Sequence, residues 1–410
     1  MTMMQKKNGR QKLRGNALVI VLLCLLVLIL GFAGGWLVAK RLILADTSQR
    51  CAPGPWGEVH YSDTYIEAPE SLVNATTVPN EPTRWFVEAV SPLNLKLALQ
   101  ACELPTQQIT RLMHPAIAVT NGTGYVLQPP DELVLGLGSD ERARLYYWLA
   151  SFPQNVAYAG PYRFESDIGK DWLEDSHLPP EVIGLVRTLI YQHWNLWLFS
   201  DLTLVLRHYP DPKIYATLFR ALSRTATLLA YVRVSRDDSA VDLAHYWGWP
   251  DREDAVRVRI KASQATGSPQ NISVGMLLPY FARDRIYHYR NREDPDWATC
   301  HYTAMNFFND PPDLRFTNTT EIIRSLKEDY VEVREDFQLG DIVQFMQNGS
   351  NVVHSCNYVA GNLIFTKNGG SLVQPWVLDE LDDLVAFYSY PNPVTVRVMR
   401  RKDCIKHFKQ

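Results

Sequence analysis

A thiol, an imidazole and a third polar group are the parts of a cysteine nucleophile, and three positions in the last third of this chain supply them in a workable order. Cys300 follows Asp-Trp-Ala-Thr, where a helix is expected to begin. His354 lies 54 residues later, inside an expected strand, and Thr366, Lys367 and Asn368 lie on the next one. A thiol at the start of a helix meets backbone N–H groups that favour the thiolate and can hold an oxyanion. A histidine on a neighbouring strand takes the thiol proton, and a further polar side chain holds the imidazole tautomer. Alternation along 363–369 sets Thr366 and Asn368 on one face of their strand and Lys367 on the other. Asn368 is preferred as third residue, because an amide oxygen accepts an imidazole N–H; Thr366 lies twelve positions after His354.

Other groups near this trio are read differently. Cys356 shares a strand face with His354 and competes with it, since it could pair with Cys300 as a disulfide. His301 is expected to point away from Cys300 on a helix, so it is not the base. The spacing of these cysteines and histidines matches no common zinc site, and no cofactor is expected.

The elements expected to carry the trio form an α+β layout. A short helix covers 296–308 and another 320–327. Strands follow at 341–346, 352–359, 363–367 and 395–400, with turns at Gly349 and at Ala360-Gly-Asn362. The polar stretch from Tyr287 to Pro295 marks the start of a domain over 291–410. Gly340 and Asp341 are read as structural, shaping the entry to the first of these strands.

The text Cys300…Gly340-Asp-Ile-Val-Gln-Phe345…His354-Ser-Cys-Asn-Tyr-Val-Ala-Gly-Asn-Leu-Ile-Phe-Thr-Lys-Asn-Gly369 resembles the NlpC-type cell-wall peptidases and amidases of the papain-like superfamily. The shared pattern is a helix-borne Cys, a Gly-Asp-x-hydrophobic strand, His-x-x-x-Tyr-hydrophobic, a Gly-Asn turn and a strand with the third polar residue. It covers residues 290–400 only. The resemblance implies a papain-like helix-plus-antiparallel-sheet domain, Cys300 as nucleophile, His354 as base, and a peptide or peptidoglycan-like substrate cleaved at an amide. Thr299-Cys300-His301-Tyr302 departs from the family's Asp-Cys-Ser-Gly. The alternative reading is therefore a catalytically inactive envelope scaffold or ligand-binding protein.

Upstream, residues 17–39 run uncharged for 23 positions, about 35 Å as a helix and long enough for a hydrocarbon core of about 30 Å. Lys6, Lys7, Arg10, Lys12 and Arg14 precede this run, and only Lys40 and Arg41 follow closely. The positive-inside bias puts residues 1–16 in the cytoplasm and the bulk of the chain outside, as a single-pass membrane protein. The apolar run is longer than the core of a cleaved signal peptide, which favours an anchor. Residues 42–90 read as a tether with some strand character. Residues 91–290 read as a mainly helical domain of unassigned role, with a helix opening at Ser139, a long amphipathic run after Pro179-Pro-Glu181 through Trp197 and a helix over 212–234, and with a short strand competing around 93–99. His245-Tyr-Trp-Gly-Trp-Pro250 is read as core rather than a binding patch. Cys51 and Cys102 are a possible disulfide. The net charge of −3 lacks the basic footprint of a nucleic-acid binder.

Overall fold

Side chains that alternate between buried and exposed identify the strands on which the architecture rests. In the computed structural model, which describes residues 48–408 except 76–80, 89–90, 115–117, 121–123, 153, 165–172, 174–175, 194–195, 291–293, 295–297, 371 and 390–392, residues 50–410 form one compact unit. Strands β1 (Glu58–Ile66) and β2 (Thr225–Val234) pair antiparallel from Glu58 opposite Arg233 to Ile66 opposite Thr225, and β3 (Gln270–Ser273) pairs with the other edge of β2. Leu228, Ala230, Val232 and Val234 are buried while Leu229 and Arg233 are exposed. The helix expected over 212–234 therefore stops at Ser223 and the chain continues as β2. Leu228 and Leu229 fit helical spacing, but Thr225, Thr227, Val232 and Val234 are β-branched and pack better on a pleated surface.

The larger sheet contains β4 (Tyr330–Val333), β5 (Ile342–Gln347), β6 (Asn351–Ala360), β7 (Leu363–Lys367), β8 (Trp376–Glu380) and β9 (Thr395–Arg401) in the order β4-β9-β5-β6-β7-β8, with every neighbour antiparallel. The four strands expected from sequence are there, within a residue or two of their predicted ends; β4 and β8 were not anticipated. Gly361, with φ +59°, makes the β6–β7 turn. Gly340, with φ +85°, stands before β5, and a Cβ there would fall 2.1 Å from the Phe308 ring. Asp341 beside it accepts from Arg400 at 2.7 Å and from the Gln338 N–H at 2.8 Å, so the Gly-Asp pair does shape the strand entry. Helix α1 (Cys300–Asn306) lies against β6 and β7, and α2 (Thr319–Asp329) leads into β4. Edge strand β8 is tied to β2 by Thr227, whose hydroxyl donates to the Leu378 carbonyl at 3.0 Å and accepts from its N–H at 3.2 Å. Val232, Trp247, Leu278, Tyr302, Phe345, Phe365 and Trp376 belong to one core that spans both sheets.

A second core fills a lobe between the ends of β1 and β2. Trp85, Leu99, Leu145, Val182, Phe199 and Leu218 pack in it, among short helices and two small three-stranded antiparallel sheets. Fully buried Arg142 donates to the Thr188 carbonyl at 3.0 Å and the Val134 carbonyl at 2.8 Å, and stands 3.6 Å from Asp201. Residues 92–101 are a helix capped by Ser91, which ends the strand alternative there. The Ser139 helix is capped one residue earlier, the Gly138 N–H donating to Glu141 at 2.9 Å. The Pro180 helix ends at Leu189, before two short strands.

These cores redraw the expected boundaries. The strand character read in 42–90 is β1, whose Val59 and Tyr61 are in the sheet core. Residues 225–290 share that core, so the break expected near 290 does not separate two interiors; the distinct piece is the lobe inserted between Ile66 and Thr225. Tyr246 and Trp247 are buried, donating to the Val359 carbonyl at 2.6 Å and the Trp56 carbonyl at 3.0 Å, as a core reading requires. Cys51 and Cys102 are both free thiols, one packing on each core, so the staple does not form. The apolar run 17–39 lies outside the described residues, and no helix among those described is long and apolar enough to cross a membrane.

Candidate active site

The local sequence starts α1 at the thiol. Thr299 is extended and its hydroxyl accepts from the Tyr302 N–H at 3.3 Å, which caps the helix and makes Cys300 its first residue. Cys300 is 7% exposed, and its sulfur faces the backbone N–H groups of Ser355, His301 and Cys300 itself. Burial raises the thiol pKa above its ordinary value; those N–H groups and the charge of Lys367 pull the other way without overcoming it.

His354 sits on β6 with no exposed surface. Its Nε2 lies 2.8 Å from Thr366 Oγ1, and that hydroxyl donates its proton to Asn368 Oδ1 at 3.2 Å. A hydroxyl has one proton, so Oγ1 accepts from Nε2–H, and the imidazole carries its lone pair on Nδ1. Nδ1 is buried and has no hydrogen-bond partner. Tyr388, on α3 (Leu381–Tyr388), stacks on the ring at 4.2 Å and 18°, and Phe345 packs at 5.4 Å. Burial, and then the nearby His301, holds the His354 pKa well below the ordinary imidazole value. The ring is therefore a neutral base with one nitrogen tethered.

Strand alternation sets what these groups face. Ser355 and Asn357 turn toward α1: His301 Nδ1 lies 2.9 Å from Ser355 Oγ, and Asn357 donates to the Ala304 carbonyl at 3.1 Å. His354 and Cys356 therefore face the other side of β6, where Tyr388 lies. The thiol meets β6 at the Ser355 N–H, one residue along the chain from His354, and no hydrogen bond joins Sγ to the imidazole. His301 and the thiol both meet Ser355, the ring at Oγ and the sulfur at the N–H. Cys356 and Cys300 are both free, and the Cys356 thiol is directed to the Val343 carbonyl at 3.7 Å.

Asn368, expected to bond the ring, is one link further out; Thr366 is the direct partner. Of the two, only Thr366 reaches Nε2, and Asn368 accepts from the Thr366 hydroxyl. The twelve-residue spacing was the signal for Thr366. Nothing in the sequence pointed to Tyr388. No protein-family model, no curated protein and no solved structure matches this chain.

Cys300, Val353, Asn368, Gly369 and Tyr388 line one side of a cavity of about 1130 Å³. The inserted lobe lines it too, with Tyr158, Tyr162 and Phe199 among its residues. A space of this size, with mixed aromatic and polar walls, suits an extended ligand. Among the described residues no cluster of three or more His, Cys, Asp or Glu is arranged to hold a metal ion.

Proposed function

We propose that this chain is a membrane-anchored, extracytoplasmic cysteine hydrolase that cleaves an amide bond, with Cys300 as nucleophile and His354 as base. The observation that carries the reading is the imidazole itself: Nε2 is held by the Thr366–Asn368 chain, and Nδ1 is left buried with an unused lone pair. The reaction requires the Cys300 proton to reach Nδ1, which in the resting fold makes no hydrogen bond to Sγ and faces the other side of β6 from α1; the thiolate then attacks the carbonyl carbon. The amine then leaves with the proton returned by His354, and water cleaves the thioester to regenerate the thiol. The cavity beside Cys300 has room for a peptide, and peptidoglycan stem peptides are the substrate class that the NlpC-type resemblance suggests.

The test uses the full-length chain in detergent, given peptidoglycan fragments, with release of new amino termini as the readout. Cys300→Ala and His354→Ala should each abolish release. Full activity in Cys300→Ala would sink the proposal.

A second reading, an inactive envelope scaffold, is favoured by a different observation. Burial keeps both the thiol and the imidazole neutral at rest, and Tyr388 covers the ring. Selective alkylation of Cys300 in the folded chain near neutral pH would exclude it.

A further inference from the structure

Two hydrogen bonds seat α1 on β6 and decide what shares the thiol's side of the strand. His301 Nδ1 lies 2.9 Å from Ser355 Oγ, and Asn357 donates to the Ala304 carbonyl at 3.1 Å. Cys300 precedes His301 in the first turn of the helix, so thiol and ring approach the strand together. They meet it at one residue, the sulfur at the Ser355 N–H and the ring at the Ser355 hydroxyl. That serine is 2% exposed, whereas His301 is only partly buried. The His354 lone pair belongs to the opposite face, where Tyr388 stacks on its ring at 4.2 Å.

A serine hydroxyl has one proton to donate and two lone pairs with which to accept. Placed between a thiol and an imidazole, it accepts from the first and donates to the second. Burial raises the Cys300 pKa and lowers that of His301, so both groups are neutral at neutral pH. No resting ion pair is needed, because the proton has only to leave as the sulfur attacks.

We propose that Ser355 and His301 relay the Cys300 proton during attack, which makes His301 a second base at this site. As the sulfur bonds to the carbonyl carbon, the S–H proton passes to Ser355 Oγ and the hydroxyl's own proton passes to His301 Nδ1. The carbonyl π pair moves to oxygen and the hydroxyl is restored. The imidazolium then holds the proton that an amine leaving group takes back along the same path. His301 acts through Ser355, as a positioning residue. The inference rests on Cys300 being the nucleophile, and it adds to the His354 reading an acceptor on the thiol's own side. The other titratable groups around the pair are Lys367, His354, Cys356 and Tyr388.

The experiment gives p-nitrophenyl acetate to the full-length chain, follows first-turnover release of p-nitrophenol against pH, and confirms acetyl-Cys300 by mass spectrometry. In the wild type the rate should rise as His301 deprotonates, with a midpoint below the ordinary imidazole value, and then level off. His301→Gln keeps a hydrogen-bonding group beside Ser355 but accepts no proton. It should lose the plateau and react about a hundredfold more slowly at neutral pH. Ser355→Ala should do the same, and Ser355→Thr, which restores a hydroxyl, should recover the plateau. A plateau that survives in folded His301→Gln or Ser355→Ala overturns the relay and leaves the His354 reading standing. A wild type that gives no acetyl-Cys300 overturns both.

Discussion

Replacing Thr366 by valine removes one hydroxyl and almost nothing else, and the consequence follows from the bonding of one ring. In the wild-type protein His354 Nε2–H has an acceptor at 2.8 Å and Nδ1 has none. In Thr366→Val neither nitrogen has a partner. Shifting the proton to Nδ1 does not help, because that side is equally buried and equally empty. One imidazole N–H is stranded in either tautomer, at about 1–3 kcal/mol. Asn368 loses a donor as well, but it is only half-buried and water can take the vacated place. The expected destabilisation is therefore about 2 kcal/mol, measured by denaturant unfolding of the full-length chain. The source is isolated by repeating the substitution in His354→Leu, where no imidazole remains: the loss should shrink to within about 0.5 kcal/mol of zero. An equal loss in both backgrounds would refute the hydrogen-bond account and leave packing as the cause. Activity should fall further than stability, because the freed ring no longer keeps its lone pair on Nδ1.

Stability should also depend on pH through His354. Its folded pKa is well below the unfolded value of about 6.5, so its contribution is complete above that pH and declines below it by up to about 1.4 kcal/mol per unit. Asp201, raised to about 6 by burial, acts in the opposite sense, so the measurement is the difference in slope between wild type and His354→Leu. Loss of Asp341 should strand Arg400, whose carboxylate partner is 1% exposed and 2.7 Å away; Asp341→Ala should lower stability by about 3 kcal/mol in chemical denaturation. Gly340→Ala combines a left-handed backbone with a Cβ driven into Phe308, and thermal melting should show a loss of at least about 2 kcal/mol.

The part of the fold carried by neighbours in sequence was legible, and the part carried by distant partners was not. Strand β7 is bounded by a glycine turn and an alternating run, and its expected limits coincide with the observed Leu363–Lys367. Strand β1 showed only as some strand character within a tether, because its partner β2 is contributed from beyond the inserted lobe and local composition does not show that pairing. The same blindness turned β2 into the second half of a helix. At the site, order along the chain pointed to Cys300 and His354, and periodicity gave Thr366 and Asn368 a common face. Which of the two touches the ring depends on reach across the sheet. Tyr388 reaches His354 from a helix whose placement is decided wholly by tertiary packing.

The inserted lobe explains how the wall facing Cys300 is held. A lobe entered and left through two adjacent strand ends would swing about that neck unless the crossings were joined. Here they are joined twice. The Tyr289 hydroxyl lies within bonding distance of the Ile66 carbonyl on the outgoing crossing, at 3.3 Å, and of the Ser223 carbonyl on the returning one, at 3.0 Å. Arg224 of the returning chain also grips Glu67 of the outgoing chain through Nε at 3.0 Å and Nη2 at 2.6 Å. The ion pair is exposed and weak by itself; the half-buried tyrosine is the stronger of the two ties. Because Thr227, two residues into β2 from the crossing, is bonded to edge strand β8, the neck is fixed to the sheet that carries His354 and Lys367. The lobe residues that line the cavity and the sheet that carries His354 are thus tied to one frame at the neck.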